Sequence, residues 1–338
     1  MLVKVEDKVK VWMKIIFMMG ILIMILIQFK GLFSDFDIHT FHSYRDKLSF
    51  ISLGFIAILG ILSYLPLSLY DFIIKDTCKI SLDNKSLYKS SWIASSISSI
   101  VGFGGTAAIA LKSYLYSPYI KDKAVLVKEV SKVVLLNFTG FSLLCFLYSV
   151  LNIEDLRKME LVKLGILLAG LYAPILFIYN LYRYSNKDKR ENAVKTIKVM
   201  MISILEWTAM ALLLYSILKL LGTKLPLAKI FPVYVVSSAI GIVSMMPGGL
   251  GGFDLSFILG VGSLGINKEE ALLALVLYRV SYYIIPLAIG VILLIYETKK
   301  KINKDYIDVF KIVIKKLINK MKSYKQNKIN SFNKNKEA

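Results

Sequence analysis

Cysteine and histidine are scarce in this sequence of 338 residues, which contains two of each. Cys78 lies in a polar stretch and Cys145 inside an apolar run, so they are badly placed for a disulfide and too few for a metal cluster. His39 and His42 have a spacing that can hold a metal, but two histidines in an exposed loop usually bind none. We therefore expect no redox centre, no bound metal and no cofactor.

Catalytic motifs are lacking as well. The chain has no Walker motif, nucleophile elbow, zinc-ligand spacing or dinucleotide fingerprint. The residues alone thus indicate no centre for group transfer, and we assign no catalytic residue.

Acidic residues are few: 23 aspartates and glutamates stand against 43 lysines and arginines, which gives a formal net charge of +20. Thirteen of the lysines lie between Lys299 and Lys336. Excess positive charge beside apolar segments suits anionic lipid headgroups. Nucleic acid is a poor alternative, because the lysines lack the interleaved aromatic residues of a nucleic-acid-binding module. Residues 299–338 are predicted to form a basic cytoplasmic tail that begins with an amphipathic helix on the inner leaflet.

Long apolar segments are what the sequence has in abundance, since 56% of its residues are hydrophobic. Six segments are long enough to cross a hydrocarbon core, which takes about 20 helical residues. The predicted spans are residues 11–29, 48–74, 133–151, 161–182, 199–221 and 271–296. The first span is interpreted as retained, because no small-residue cleavage site follows it.

Two further segments, 90–120 and 230–266, each carry a glycine cluster near the middle. Short cytoplasmic loops are rich in lysine and arginine, as are the polar stretches 75–89, 121–132 and 183–198. The segment between the first two stretches is therefore predicted to enter and leave the membrane on the cytoplasmic side. The second segment must open to the outside, because the last span ends at the basic tail. The predicted hairpin tips are Gly102, Gly104, Gly105, Pro247, Gly248, Gly249 and Gly251.

The two hairpins are also alike in sequence, with SSISSIVGFGG in the first and SSAIGIVSMMPGG in the second. Similar segments of opposite topology indicate an inverted repeat, which places a transport site near the membrane midplane between broken helices. Ordinary close packing of small residues is the alternative, and it is favoured for GFGG taken alone. The predicted fold is an all-α integral membrane protein of about six full transmembrane helices plus two oppositely oriented re-entrant hairpins. Residues 1–298 are the predicted membrane domain, and both termini are cytoplasmic.

Ionisable side chains inside apolar spans are costly and usually functional. We expect those of this chain to pair with one another or to line a wet cavity. The candidate site residues are Asp71, Lys112, Glu206, Asp254 and Arg279.

The surroundings of these five residues differ. Asp254 stands just beyond the second hairpin tip and is the strongest candidate. Arg279 lies too deep to snorkel, so it should pair with Asp254 or bind a phosphate. Lys112 could snorkel to the cytoplasmic surface, and Asp71 could be a helix-end acid that meets water. Glu206 lies about two turns inside its span, too deep for a loop charge, although its neighbour Trp207 could equally mark the membrane interface.

The stretch MMPGGLGGFDLSFILGVGSLGINKEEALLALVLYRVSYYIIPLAIG resembles the membrane region of the lysylphosphatidylglycerol synthase/flippase family, the multiple peptide resistance factor of bacteria. The motifs that carry the resemblance are the turn PGG, the pair FD, the triplet LYR that ends at Arg279, and YYIIP. YDF, GFGG and the acid at Glu206 extend it across most of the chain. In one departure, Lys112 stands where the resemblance predicts an arginine, and a lysine lacks the bidentate grip on a phosphate.

The resemblance implies a protein of the bacterial cytoplasmic membrane that moves aminoacylated phosphatidylglycerol, chiefly the lysyl form, from the inner to the outer leaflet. The cationic headgroup then repels cationic antimicrobial peptides. The resemblance also implies a synthase domain, which we do not expect within this chain, so that a separate lysyltransferase is a candidate partner, as is a second copy in a homodimer. Three alternatives remain open: an ion-coupled carrier of a small solute, an enzyme acting on a lipid-linked substrate, and a membrane subunit associated with a phosphatidylglycerol lysyltransferase.

Overall fold

The computed structural model describes residues 38–101, 105–151, 161–244 and 246–299. Within these ranges the regular structure is helical and no strand occurs, so the predicted all-α fold is confirmed. Numbered in chain order, the α-helices are α1 (Ile38–Asp46), α2 (Phe50–Tyr64), α3 (Pro66–Cys78), α4 (Asn84–Val101), α5 (Thr106–Tyr116), α6 (Lys123–Leu136), α7 (Phe138–Leu151), α8 (Leu161–Tyr184), α9 (Lys187–Leu221), α10 (Leu227–Val243), α11 (Gly252–Gly262), α12 (Lys268–Arg279) and α13 (Ile285–Lys299).

Several helical stretches of the described residues are long and apolar enough to cross a membrane, judged by length and composition. They are Phe50–Cys78, Lys123–Leu151, Lys163–Tyr184, Lys187–Leu221 and Lys268–Tyr296. These stretches coincide with five of the six predicted spans. The remaining predicted span, 11–29, lies outside the described residues, as does the predicted tail beyond Lys299. The chain is therefore a multi-pass helical membrane protein.

Two of these helices begin in basic stretches that the sequence predicts as loops, and there the prediction is wrong. Helix α6 begins at Lys123 and α9 at Lys187, each about three turns before the predicted span. Asp122 and Asn186 cap these helices by accepting hydrogen bonds from backbone N–H groups of the first turn. Apolar length marks the part of a helix that lies in hydrocarbon, whereas a capped charged helix continues into water. Cys78 likewise ends α3 as a buried residue and does not lie in a polar loop.

Each glycine-rich segment folds as two helices in contact, α4 with α5 and α10 with α11. Helices α5 and α11 have 11 residues each. That length gives about 16 Å of helix, roughly half of a hydrocarbon core of about 30 Å. Neither helix can therefore cross the membrane alone, and each helix pair is called a hairpin below. That the hairpins are re-entrant, and the side from which each one enters, stay predictions.

The turns of both hairpins depend on glycine. Gly248 and Gly249 in the short 3-10 helix Pro247–Gly249 have φ angles of 60° and 67°, and Gly251 has 82°. Gly105 in the first hairpin has 87°. A side chain at these angles is strained, so the predicted tip positions require glycine for conformational reasons. Gly102 and Gly104 lie outside the described residues.

A π-helical segment, Val280–Ile284, joins α12 to α13. Gly60 of α2 packs directly on this segment, since a Cβ atom built there would lie 2.5 Å from the carbonyl oxygen of Ser281. Trp92 of α4 donates its indole N–H to the carbonyl oxygen of Pro286 at 3.0 Å. The π-helical segment is thus held against the first hairpin, and such widened turns are frequent at functional sites.

Candidate functional site

A cavity of about 330 Å³ lies between the two hairpins and the helices α3, α6, α9 and α12. The hairpin tips reach it through Gly105, Gly248 and Gly249. Ser98 and Ser238 belong to the lining from the two hairpins. The cavity is therefore bordered by the helix breaks that the sequence singles out.

The five predicted site residues take different places around this cavity. Lys112 and Glu206 belong to its lining. Asp71 lies against Lys112, and the pair Arg279 and Asp254 adjoins the tip of the second hairpin. The structure thus brings all five residues to one region, although they come from five different helices.

Glu206 lines the cavity from the middle of α9 and is 5% exposed. Tyr70 donates its hydroxyl to Oε2 of Glu206 at 2.7 Å, and Asn137 donates its amide Nδ2 to the same oxygen at 2.6 Å. The amide also donates to the Tyr70 hydroxyl at 2.9 Å. Both hydrogen bonds of the carboxylate within the described part of the chain therefore end on one oxygen.

Asn137 occupies the break between α6 and α7. Its carbonyl oxygen accepts the hydroxyl of Ser203 at 2.5 Å and the indole N–H of Trp207 at 2.9 Å. The backbone N–H of Gly140 donates to Ser203 Oγ at 2.7 Å. The broken helix is thereby bound to the face of α9 that carries Glu206.

Lys112 forms a buried ion pair with Asp71. The distance from Nζ to Oδ2 is 2.6 Å, and the side chains are 8% and 0% exposed. Lys112 therefore does not snorkel to the surface, and Asp71 is not a helix-end acid in water. Ser91 donates its hydroxyl to the same oxygen. The other oxygen, Oδ1, has no hydrogen-bond partner among the described residues.

Arg279 forms the second ion pair, with Asp254. Its Nη2 lies 2.7 Å from each carboxylate oxygen, and its Nε donates to Oδ1 at 2.9 Å. Asp254 also accepts the backbone N–H of Gly251 at 2.8 Å, and Arg279 donates Nη1 to the carbonyl of Gly248 at 3.3 Å. The pair therefore fastens the second hairpin tip to the last spanning stretch.

The charges of the site do not balance. Two cations are neutralised by Asp71 and Asp254, whereas Glu206 has no lysine or arginine partner among the described residues. A buried carboxylate without a counter-charge is costly unless it takes up a proton or a ligand supplies the opposite charge. The geometry is suited to binding a cationic group at Glu206.

Aromatic rings connect the two hairpins along this region. Neighbouring ring centroids in the row are 5.0 to 6.2 Å apart. In order, the row is Tyr234, Phe253, Tyr278, Tyr282, Tyr64 and Trp92. Of this row, Tyr234, Phe253, Tyr278 and Tyr282 line the cavity. Aromatic residues of this kind are typical of sites that bind organic cations.

Tyr70 and Asn137 are site residues that the search for charges misses. Tyr70 immediately precedes Asp71 in LSLYDFII, and Asn137 is an isolated amide in the apolar run VVLLNFTGF. A buried amide in a membrane span needs a hydrogen-bond partner, and this signal could have identified Asn137.

The sequence of this chain matches a family model and several known proteins. The family model described as the lysylphosphatidylglycerol synthase TM region matches residues 11–290. A phosphatidylglycerol lysyltransferase of Staphylococcus haemolyticus is 32% identical over 244 residues, which cover 71% of this chain and 29% of that protein. A phosphatidylglycerol lysyltransferase of Staphylococcus aureus is 30% identical over 298 residues, which cover 87% of this chain and 35% of that protein.

The matched part is thus about a third of the length of these relatives. The match covers both hairpins and every predicted site residue. It confirms the resemblance that the sequence motifs indicate. The chain belongs to the family of the lysylphosphatidylglycerol synthase transmembrane region.

Proposed function

We propose that this chain moves aminoacylated phosphatidylglycerol, chiefly the lysyl form, from the inner to the outer leaflet of the bacterial cytoplasmic membrane. The observation that carries the proposal is Glu206, a carboxylate in a cavity between two broken helix pairs, without a cationic partner in the described residues. A lysyl headgroup supplies the missing positive charge, whereas unmodified phosphatidylglycerol does not. The family match and the named activity of the relatives support a lipid of this class.

The two ion pairs also contain the cations that can bind the lipid phosphate. A lysyl-phosphatidylglycerol headgroup carries a phosphate and two ammonium groups, so it can replace both partners of a pair at once. Lys112 and Arg279 then bind the phosphate, while Asp71, Asp254 and Glu206 receive the ammonium groups. With the headgroup bound, the formal charges of these five side chains and of the lipid sum to zero, which lowers the cost of passing the headgroup through the hydrocarbon.

The lysyl lipid itself is proposed to come from a lysyltransferase, the activity that the longer relatives are named for. Lysyl lipid in the outer leaflet reduces its negative charge and so weakens the attraction of cationic antimicrobial peptides. We place both termini in the cytoplasm, with the basic residues 299–338 on the anionic inner leaflet.

Movement of lipid across the bilayer of proteoliposomes tests the proposal. Lysyl-phosphatidylglycerol that reaches the outer leaflet is measured with an amine-reactive probe that cannot cross the membrane. Unmodified phosphatidylglycerol is followed through a fluorescent analogue quenched from outside. The test variant is Glu206→Gln, and the matched control is Glu191→Gln, which makes the same change at an 81% exposed side chain of the same helix.

The parent protein and Glu191→Gln should accelerate exposure of the lysyl lipid, and Glu206→Gln should slow it by about tenfold or more, since a hydrogen bond to a charged group is worth about 1.5–3 kcal/mol. Equal rates for Glu206→Gln and the parent would contradict the role of Glu206. No acceleration of either lipid by the parent would contradict the translocation itself.

A further inference from the structure

We propose that Asn137 is the positioning residue that makes the cavity select a cationic headgroup. This inference rests on the translocation proposed above and adds to it the origin of the preference for the lysyl lipid. Asn137 does this by donating to one carboxylate oxygen of Glu206, a contact that favours the charged carboxylate and leaves the other oxygen for the ligand.

The side chains of Asn137, Tyr70 and Glu206 form a group in which each is hydrogen-bonded to the other two. The three donor–acceptor distances are 2.6 Å, 2.7 Å and 2.9 Å. An amide NH₂ can only donate, so it stabilises the charged carboxylate and cannot accept a proton from a neutral one. Both donors reach Oε2, which leaves Oε1 of a cavity-lining residue for an ammonium group.

The main chain of Asn137 fixes where this amide stands. Its carbonyl oxygen is held by Ser203 and Trp207, which lie three residues before and one residue after Glu206 on α9. Residues at this spacing share one helix face. Side chain and main chain of one residue thus bind the same face of α9, and the carboxylate cannot turn away without breaking this set of contacts.

The helix break is what permits this arrangement. Asn137 stands between α6 and α7, where its carbonyl accepts from the side chains of α9. The close approach of the two elements is visible at Gly140, where a Cβ atom would lie 2.2 Å from the carbonyl oxygen of Ser203. A residue of another shape or hydrogen-bonding type at position 137 cannot reproduce both sets of contacts.

The consequence concerns selectivity and not the overall rate. Without the amide, Glu206 can rotate or take up a proton, and the cavity loses its negative charge toward the ligand. Movement of the lysyl lipid then falls, whereas movement of unmodified phosphatidylglycerol, which brings no ammonium group, does not fall in parallel. A residue that served only to fold the protein would lower both rates together.

The test measures the ratio of the two initial rates, lysyl-phosphatidylglycerol over phosphatidylglycerol, in the same proteoliposomes. Asn137→Leu keeps the approximate size of the side chain but removes the amide donor, whereas an aspartic acid at this position can still donate a hydrogen bond when it is protonated. The matched control is Ser142→Ala on α7, whose hydroxyl donates to the carbonyl of Ala169 at 2.6 Å and does not line the cavity. Thermal unfolding and size-exclusion profiles verify that each variant is folded.

We expect the ratio to fall by about tenfold in Asn137→Leu, in line with the loss of one charge-assisted hydrogen bond, and to stay unchanged in Ser142→Ala. An unchanged ratio in folded Asn137→Leu overturns the inference, whatever the absolute rates.

A binding measurement separates this inference from the proposed function. Binding of short-chain lysyl-phosphatidylglycerol and short-chain phosphatidylglycerol to the detergent-solubilised protein is compared for the parent and Asn137→Leu. If the parent moves no lipid, the proposed translocation fails, and this binding ratio decides the inference: a fall of about tenfold supports it, and an unchanged ratio overturns it.

Discussion

The guanidinium of Arg279 holds both carboxylate oxygens of Asp254, with Nη2 at 2.7 Å from each. The same carboxylate caps α11 through the backbone N–H of Gly251. Asp254 therefore joins the start of α11 to the end of α12.

Removing the charge of one partner should lower the unfolding free energy more than removing the charges of both partners. Asp254→Asn leaves the guanidinium without a counter-charge at 20% side-chain exposure, and we expect a loss of about 3 kcal/mol in unfolding free energy. The double variant Asp254→Asn with Arg279→Gln keeps polar groups on both sides without a net charge and should recover most of that loss. Titration with a denaturing detergent measures the three free energies.

The exposed pair Lys195 and Glu191 on α9 provides the control. Its atoms lie 2.7 Å apart, but the glutamate side chain is 81% exposed. Glu191→Gln should change the unfolding free energy by about 0.5 kcal/mol or less, because water screens such pairs. A loss for Asp254→Asn as small as this one would show that the Arg279 pair is solvated.

Lys112→Arg should preserve the first ion pair. Oδ1 of Asp71 has no partner among the described residues, and a guanidinium can reach both oxygens of a carboxylate. We expect unfolding free energy and lysyl-lipid movement at or above those of the parent. Thermal unfolding and the proteoliposome assay measure the two quantities.

Lys112→Met, in contrast to Lys112→Arg, should lower both stability and transport. It leaves a fully buried carboxylate alone, so we expect a loss of about 3 kcal/mol and little transport. Adding Asp71→Asn should restore stability but not transport, since the phosphate ligand is still missing. Transport that survives Lys112→Met would argue against Lys112 as a phosphate ligand.

Gly60→Ala should destabilise the protein, because the added methyl group would meet the backbone of Ser281 at 2.5 Å, and backbone cannot move aside. Overpacking of this kind costs about 1–3 kcal/mol. Gly54 lies on the same helix with nothing within 4 Å of its Cβ position, so Gly54→Ala should be neutral or stabilising. Thermal unfolding compares the two variants. Equal midpoints would mean that α2 can shift away from the π-helical segment.

The sequence is sufficient to identify the five charges, because each interrupts an apolar run. It does not show how they pair. Lys112 and Asp71 are 41 residues apart on different helices, and their distance depends on how α3 packs against the first hairpin. Snorkelling and pairing are equally compatible with a lysine near a helix end, and only the packing decides between them.

Asn137 shows a second limit of the sequence. The break at this residue falls inside one apolar run, without a proline or glycine at the position to mark it. Its carbonyl is satisfied by Ser203 and Trp207, which come from 66 and 70 residues further along the chain. Local patterns predict a continuous helix there, whereas tertiary hydrogen bonds stabilise the break.

The opposite orientation of the two hairpins can be tested by cysteine labelling. The endogenous Cys78 and Cys145 are both buried and would be replaced by alanine to give a background without thiols. Single cysteines then replace Lys85 and Lys121 at the two ends of the first hairpin. For the second hairpin they replace Lys224 and Ser263. All four positions are exposed.

A maleimide that cannot cross the membrane is applied to right-side-out and inside-out vesicles. Because basic loops stay in the cytoplasm, the cysteines at 85 and 121 should react in inside-out vesicles. Those at 224 and 263 should react in right-side-out vesicles, because the last span then returns the chain to the inside. If the two ends of one hairpin react from opposite sides, that helix pair crosses the membrane. In that case the cavity cannot lie between two re-entrant tips, and the inverted repeat predicted from the sequence would be wrong.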